Sequence, residues 1–445
     1  MTTRVVIVRH GQSTYNLEQM IQGRCDKSVL TEKGRADADK LGAVLRQLDV
    51  ATLYSSPLQR AKETAEIIHN HFEVSPPLEV SELLQEVDLP LWEERKKQEV
   101  VEEFPEDYEC WKNRPHEFYM TVGEKKHYPV LSLYEQAQAF WKTVISKHQG
   151  KTILIVAHNG INRCLISSAI GVPPSLYHSI QQSNCGINVL NFKGDWGDPV
   201  ELESLNQTSH LGTNIPSPRK NQGVRLLLVR HGETEWNKES RFQGKMDIPL
   251  NETGKEQGRK AADLLKDTSL NFAVSSPMLR PKETAELILA NHPGVELELK
   301  DKLLEISHGK WEGKLKPEIQ MEYPELLNQW QQTPELVQMP DGENLQEVWD
   351  RAIAGWEEIV AEQSNVSSNS INTGIVVAHD AINKVILCAL LGLSTSNFWN
   401  VKQGNGAVSV IDYPDGKDGK PVLQAINITS HLAEGIFDST AAGAL

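Results

Sequence analysis

Apolar positions along the chain fall into two kinds of run. Short unbroken ones, Val5-Val6-Ile7-Val8, Thr152-Ile153-Leu154-Ile155-Val156-Ala157, Leu226-Leu227-Leu228-Val229 and Ile375-Val376-Val377-Ala378, have the character of strands buried on both faces. Between them the apolar positions spread to helical spacing. Thr31 is placed to cap a helix that carries Leu41, Val44, Leu45 and Leu48. Ser56 and Pro57 suit the cap and first position of a second helix, and a third runs through Cys164, Leu165 and Ile166 to Gly171. Strands and helices in this alternation predict an α/β fold with a mostly parallel sheet flanked by helices.

The pattern is written twice. Arg9-His10-Gly11-Gln12-Ser13-Thr14-Tyr15-Asn16 follows the first strand, and Arg230-His231-Gly232-Glu233-Thr234-Glu235-Trp236-Asn237 follows its counterpart 221 positions on (231 minus 10). Leu202 to Leu211 reappears as Leu423 to Leu432 at the same offset, so two units stand head to tail. The expected division is a first domain at 1–211, a linker at 212–223 holding Pro216, Pro218, Arg219 and Lys220, a second domain at 224–432 and a tail at 433–445. Between Pro76 and Val130 the first unit turns irregular, with Trp92, Phe104, Tyr108, Trp111 and Tyr119 among charged residues. A lid over a site and a surface insertion packing its own aromatics both fit that stretch.

Charge and cysteine content narrow the partners. A formal net charge of −15 disfavours nucleic acid and anionic membrane, which reward basic surfaces. The five cysteines are odd in number and form no CxxC pair, so neither a disulfide framework nor a zinc site is expected. The opening Met1-Thr2-Thr3-Arg4 runs straight into a strand, and the apolar patch at Val385 to Leu393 is too short for a membrane span. These features lead to the expectation of a cytoplasmic protein without metal or cofactor.

Each first strand ends on a histidine, at the sheet edge where α/β proteins bind ligands. A second buried strand ends on His158 or His379, and the separation is 148 in both units (158 minus 10, 379 minus 231). Arg60 and Arg280 stand near a helix start in the matched segments Ser55-Ser56-Pro57-Leu58-Gln59-Arg60 and Ser275-Ser276-Pro277-Met278-Leu279-Arg280, where dipole and guanidinium point the same way. Two histidines and two arginines at one edge suit phosphoryl transfer, which depends on positioning and charge stabilisation. One imidazole is the candidate nucleophile, and the arginines and second histidine are candidate ligands for the phosphoryl oxygens. Glu86 and Glu305 come shortly after the apolar pairs Leu83-Leu84 and Leu303-Leu304, a setting in which burial raises a carboxyl towards general-acid duty.

The motifs RHGQSTYN and RHGETEWN, SSPLQRAKETA and SSPMLRPKETA, VAHNG and VAHDA, and LLEISHGKWEG together resemble the histidine phosphatase superfamily, whose branches include phosphoglycerate mutases, over nearly the whole chain. The resemblance implies two tandem phosphoglycerate mutase-like domains that use no metal. It implies that His10 and His231 are the phosphorylated nucleophiles, with Arg9, Arg60 and His158, then Arg230, Arg280 and His379, as the phosphate pockets. Glu86 and Glu305 resemble the proton donors, and Asn16 and Asn237 the supporting polar residues. The second unit keeps Asp341-Gly342-Glu343-Asn344, similar to the family's DGES element, where the first has Lys126-His127-Tyr128-Pro129; Gly309 and Gly313 are matched by Pro90 and Glu94. His127 to Val130 and Gln182-Ser183-Asn184-Cys185-Gly186 are similar to the two-domain 2-carboxy-D-arabinitol-1-phosphatases of photosynthetic organisms.

The expected activity is that of a metal-independent phosphomonoesterase for a small sugar or sugar-acid phosphate. A cofactor-dependent phosphoglycerate mutase and a catalytically silent metabolite-binding scaffold are the alternatives. Among the other histidines, His127 and His308 suit either a pocket rim or packing, and His210 and His431 recur at the unit ends as ties to the core.

Overall fold

Val5 to Val8 and Ile153 to Ala157 are fully buried, and each such aliphatic side chain contributes about 1.5–3 kcal/mol by leaving water. Those two runs are adjacent central strands of the first of two units, Met1–Thr213 and Asn214–Leu445. The computed structural model describes residues 1–218, 220–366, 370–433, 435 and 437. Arg219 of the expected linker, and all of the expected tail but 433, 435 and 437, lie outside the described residues.

The first unit holds strands β1 (Thr3–Arg9), β2 (Val50–Ser55), β3 (Leu78–Val80), β4 (Met120–Val122), β5 (Lys125–His127), β6 (Thr152–Ala157), β7 (Ile187–Phe192) and β8 (Val200–Gln207). Its helices are α1 (Thr14–Leu17), α2 (Glu32–Leu45), α3 (Gln59–His69), α4 (Lys97–Glu103), α5 (Pro105–Asn113), α6 (Pro129–Val144) and α7 (Asn159–Ile170). The sheet runs β8-β7-β1-β6-β2-β3. From β1 outward through β6, β2 and β3 the pairs are parallel, whereas β7 and β8 are antiparallel additions on the other side of β1. Because β1, β6 and β2 lie side by side and point the same way, the residues that follow them share one sheet edge.

The second unit repeats the plan. Its strands are β9 (Val224–Arg230), β10 (Phe272–Ser275), β11 (Leu297–Leu299), β12 (Asn372–Ala378), β13 (Val408–Tyr413) and β14 (Val422–Ile428). Its helices are α8 (Glu235–Lys238), α9 (Glu252–Leu265), α10 (Leu279–Leu289), α11 (Lys316–Glu322), α12 (Pro324–Gln332), α13 (Leu345–Ser364) and α14 (Asp380–Leu390). Parallel pairing joins β9, β12, β10 and β11, with β13 and β14 antiparallel beyond β9. Leu227, Val229, Ile375 and Val377 pack with Leu265 and Ile288 from the covering helices in one core.

Local chemistry accounts for some of the element ends. The Thr31 hydroxyl accepts from Gly34 N at the start of α2, and α7 stops at Gly171, whose φ of 90° suits a residue without a Cβ. Of the apolar positions expected to carry α2, Leu41 and Leu45 are buried, Val44 is half-buried and Leu48 falls beyond the helix. The second expected helix begins later than its sequence suggests. Leu58, not Ser56, precedes α3, and Asp26 Oδ1 takes up the N–H of Gln59 at 2.6 Å. Ser56 is committed elsewhere, as described below, and Arg60 still lies in the first turn.

The irregular stretch of the first unit packs inward. Trp92 is buried against Phe118, with ring centroids 4.8 Å apart, and Trp111 meets both Phe118 and Tyr177 at 5.5 Å. His308 is likewise a packing residue. It is fully buried, edge-on to Phe242 and Trp330, and burial lowers its pKa to about 3. The five cysteines are free. Among the described residues no helix is long and apolar enough to cross a membrane.

Candidate active site

The sheet order brings the distant motifs together. His10 follows β1 and His158 follows β6, with Arg9 paired to Ala157 in register and His10 N donating to Ala157 O at 2.9 Å. Their rings stand 5.1 Å apart, centroid to centroid. Ser56 follows β2, its N–H donating to Val156 O at 3.1 Å, and its hydroxyl lies 2.7 Å from His158 Nε2.

Hydrogen bonding orients each ring. His10 Nδ1 lies 2.7 Å from Gly11 O; a carbonyl only accepts, so Nδ1 carries the proton and Nε2 keeps its lone pair. With Nε2 of His158 held by Ser56, its Nδ1 is a buried atom without a protein partner. Arg60 donates NH1 to Cys25 O and NH2 to Gly23 O, both at 2.9 Å, and Arg9 NH1 donates to Gln182 O at 2.8 Å. The Nε atoms of Arg9 and Arg60 are buried and unpartnered. Buried N–H groups are costly to leave unpaired, so the Nε–H groups of Arg9 and Arg60 mark where an anion belongs.

The field of the site follows from burial and convergent cations. Burial, reinforced by the charges of Arg9 and Arg60, holds His10 well below the ordinary imidazole range. His158 is held down by burial and then by Arg60, His10 and Arg9. Arg9 is lowered to about 10, chiefly by burial. A neutral imidazole beside two guanidinium groups is competent to attack phosphorus, and an arriving phosphate relieves the repulsion.

The second unit reproduces this arrangement. His231 Nδ1 bonds Gly232 O at 2.7 Å, His379 Nε2 bonds Ser276 Oγ at 2.9 Å, and the two rings are 5.2 Å apart. Arg280 donates NH1 to Met246 O and NH2 to Gly244 O at 2.9 Å, and its Nε reaches His231 Nε2 at 3.3 Å. Arg230 bonds Gln403 O at 2.6 Å and pairs with Asp380 at 3.1 Å. His231 and His379 are lowered by burial first, then by Arg280. Burial raises Glu305 above the usual carboxylate range, against the pull of the Ile306 N–H and of Arg280.

Asn16 and Asn237 support from behind. Each closes a capping box with Ser13 or Thr234 at a short helix, and each Oδ1 also receives Nδ2 of Asn184 or Asn405, at 3.1 and 3.4 Å. Those two asparagines donate as well to the main-chain oxygens of His10 and His231, at 2.9 and 3.2 Å. Their loops are fixed by the last segments of the two units, where His210 bonds Cys185 O at 3.0 Å and His431 bonds Gly406 O at 3.1 Å. Thr64 and Thr284 receive Gly11 N and Gly232 N at 3.1 Å. The roles of Ser56, Thr64 and Asn184 were not legible in the sequence, although all three lie in segments that its motifs single out. In the second unit Arg351 joins the loop before the candidate acid to the DGEN element, bonding Glu305 O and pairing with Glu343, both at 3.0 Å.

A sheet edge with a free imidazole nitrogen in a cup of guanidinium groups defines a phosphate-handling α/β enzyme. The model of the histidine phosphatase superfamily (branch 1) matches residues 5–205 and 226–429; the chain belongs to that superfamily, and it is a phosphoric monoester hydrolase. Among similar proteins, the probable 2-carboxy-D-arabinitol-1-phosphatase of Arabidopsis thaliana is 32% identical over 440 residues, 97% of this chain and 88% of that one. The 2-carboxy-D-arabinitol-1-phosphatase of Triticum aestivum is 31% identical over 453 residues, covering 96% and 86%. Phosphoserine phosphatase 1 of Hydrogenobacter thermophilus is 36% identical over 211 residues, 47% of this chain and 95% of that protein.

Proposed function

We propose that each of the two domains, 1–211 and 224–432, hydrolyses the phosphomonoester of a small sugar or sugar acid through a phosphohistidine. The observation that carries this reading is the Nε2 lone pair of His10 beside the buried, unpartnered donors of Arg9 and Arg60 and the ring of His158. In the first step Nε2 of His10 or His231 forms a bond to phosphorus and the ester P–O bond breaks. The guanidinium groups and the second histidine hold the phosphoryl oxygens, and Glu86 or Glu305 gives its proton to the departing alkoxide. Water then attacks phosphorus, the N–P bond breaks and the glutamate takes up the water's proton, which restores the starting state.

The substrate class draws support from the two relatives that match along nearly the whole chain, both named for 2-carboxy-D-arabinitol 1-phosphate hydrolysis. A cytoplasmic location agrees with five free thiols. The test is phosphate release from a panel of phosphomonoesters by the wild type, His10→Ala, His231→Ala and the double variant, with trapping of acid-labile labelled protein. Each single variant is expected to keep activity and the double variant to lose both activity and label. Undiminished release by the double variant would overturn the proposal, as would conversion of 3-phosphoglycerate to 2-phosphoglycerate with no phosphate freed.

A further inference from the structure

The two candidate acids are seated differently, and one backbone position separates them. In the first unit the Glu86 carboxylate lies on the N-terminus of α7. Its Oε2 accepts from Gly160 N at 3.0 Å, and its Oε1 from Ile161 N at 3.1 Å and from Val87 N at 2.8 Å. Only glycine permits this approach. A Cβ at residue 160 would lie 2.4 Å from Glu86 Oε1 and 2.4 Å from the Tyr177 hydroxyl, closer than nonbonded atoms approach. The second unit has Ala381 at the matching place (160 plus 221). There Glu305 takes only the N–H of Ile306, at 2.9 Å, among the described residues.

The seat bears on proton delivery. Three of the four lone-pair positions of Glu86 are occupied, and moving it towards a departing oxygen strands two amides at a helix start, where free donors are costly. Glu305 has no such tie to α14, and burial raises its pKa above the usual carboxylate range.

We propose that Gly160 and Ala381 are positioning residues that set what each half can hydrolyse. Gly160 docks Glu86 as an acceptor, so the first half protonates a departing alkoxide poorly and favours esters whose leaving group departs without a proton. Ala381 leaves Glu305 free to act as an acid, so the second half turns over esters of ordinary alcohols faster. This inference rests on the phosphohistidine reading above.

The experiment isolates each half, the first in His231→Ala and the second in His10→Ala, and measures kcat and KM for p-nitrophenyl phosphate and glycerol 3-phosphate. The nitrophenolate leaves unaided, whereas the alkoxide needs a proton. General-acid help is worth at least about a hundredfold, so the alkyl-to-aryl ratio of kcat should be at least about tenfold lower in the first half. Adding Gly160→Ala to the first half should raise that ratio, and adding Ala381→Gly to the second should lower it, with the aryl kcat and both KM values unchanged. The second of these changes removes one methyl group, so it reports even where Gly160→Ala fails to fold. Equal ratios in the two isolated halves, or an Ala381→Gly effect that is the same on both substrates, would overturn the inference while leaving the phosphatase reading intact. Absence of aryl phosphate hydrolysis in both isolated halves would instead overturn that reading.

Discussion

Replacing Arg280 by lysine keeps the charge of the second site and removes its shape. The guanidinium is almost wholly buried and acts as a fork, with NH1 and NH2 on Met246 O and Gly244 O at 2.9 Å while Nε reaches His231 Nε2 at 3.3 Å. The two carbonyls fix the plane of the group, so that Nε is aimed at His231 Nε2, the atom proposed to receive the phosphoryl. An ammonium on a flexible stem can bond one of those carbonyls, but it cannot hold both and still face His231. The loss is then one charge-assisted hydrogen bond to the transferring phosphoryl, about 1.5–3 kcal/mol, or roughly 10- to 150-fold in rate. In a His10→Ala background, where only the second half turns over, kcat/KM of Arg280→Lys should fall by that factor, most of it in kcat. Thermal unfolding with and without vanadate would show the fraction of folded, ligand-competent protein, so that a stability loss is not read as a catalytic one. An unchanged kcat/KM would mean that net positive charge suffices and that the forked geometry is irrelevant.

The pH dependence of the second half should be one-sided at neutral pH. Burial and Arg280 keep His231 unprotonated well below 6.5, and burial raises Glu305 above 4.5; kcat/KM for an alkyl phosphate should therefore fall as pH rises through the Glu305 transition, and Glu305→Gln should abolish that limb. A profile that climbs steadily from pH 5 to 8 in the His10→Ala form would contradict it. His308 should make the protein acid-sensitive. Its imidazole titrates near 6.5 when unfolded and at about 3 when folded, so the unfolded chain binds the proton first, and about 4–5 kcal/mol is lost as pH falls from 6.5 towards 3. His308→Phe should flatten that slope in denaturant titrations, and an unaltered slope would refute the assignment. Gly11→Ala would push a Cβ to 2.4 Å from Gly34 O, and the first half should lose phosphohistidine formation while the His231 label persists. EDTA should leave turnover unchanged, because guanidinium groups supply the positive charge facing the phosphate; restoration of a chelated sample by a divalent metal would argue the reverse.

The parts of the molecule that were legible in the sequence are those whose signal is local. Apolar runs such as Val5 to Val8 become central strands, because a segment without polar side chains can sit only between two covering layers. The arginine-histidine pairs lie where strands end, so their convergence follows once β1 and β6 are neighbours. What stayed hidden depends on pairings across the chain. Ser56 looks like a helix cap on local grounds, yet its hydroxyl serves a histidine 102 residues away. Asn184 looks like an ordinary loop residue, yet it supports the main chain of His10 across 174 positions. His308 stands beside glycine in a polar segment, a setting that suggests a rim, and only the enclosing Phe242 and Trp330 make it a core residue. The unequal seating of Glu86 and Glu305 rests on a single methyl group, too small a change for pattern or spacing to reveal.

The terminal histidines have a consequence for how this chain can be cut or tagged. His431 comes after the last strand, yet it grips the carbonyl of Gly406 beside the asparagine that steadies His231. The last segment of the second unit thus works as a clasp on the loop that carries Asn405, and through that asparagine on the main chain of His231 near the unit's first strand. A protease or an engineered truncation that removes this segment leaves the sheet whole and unfastens the loop, so the enzyme would lose its activity well before it lost its shape.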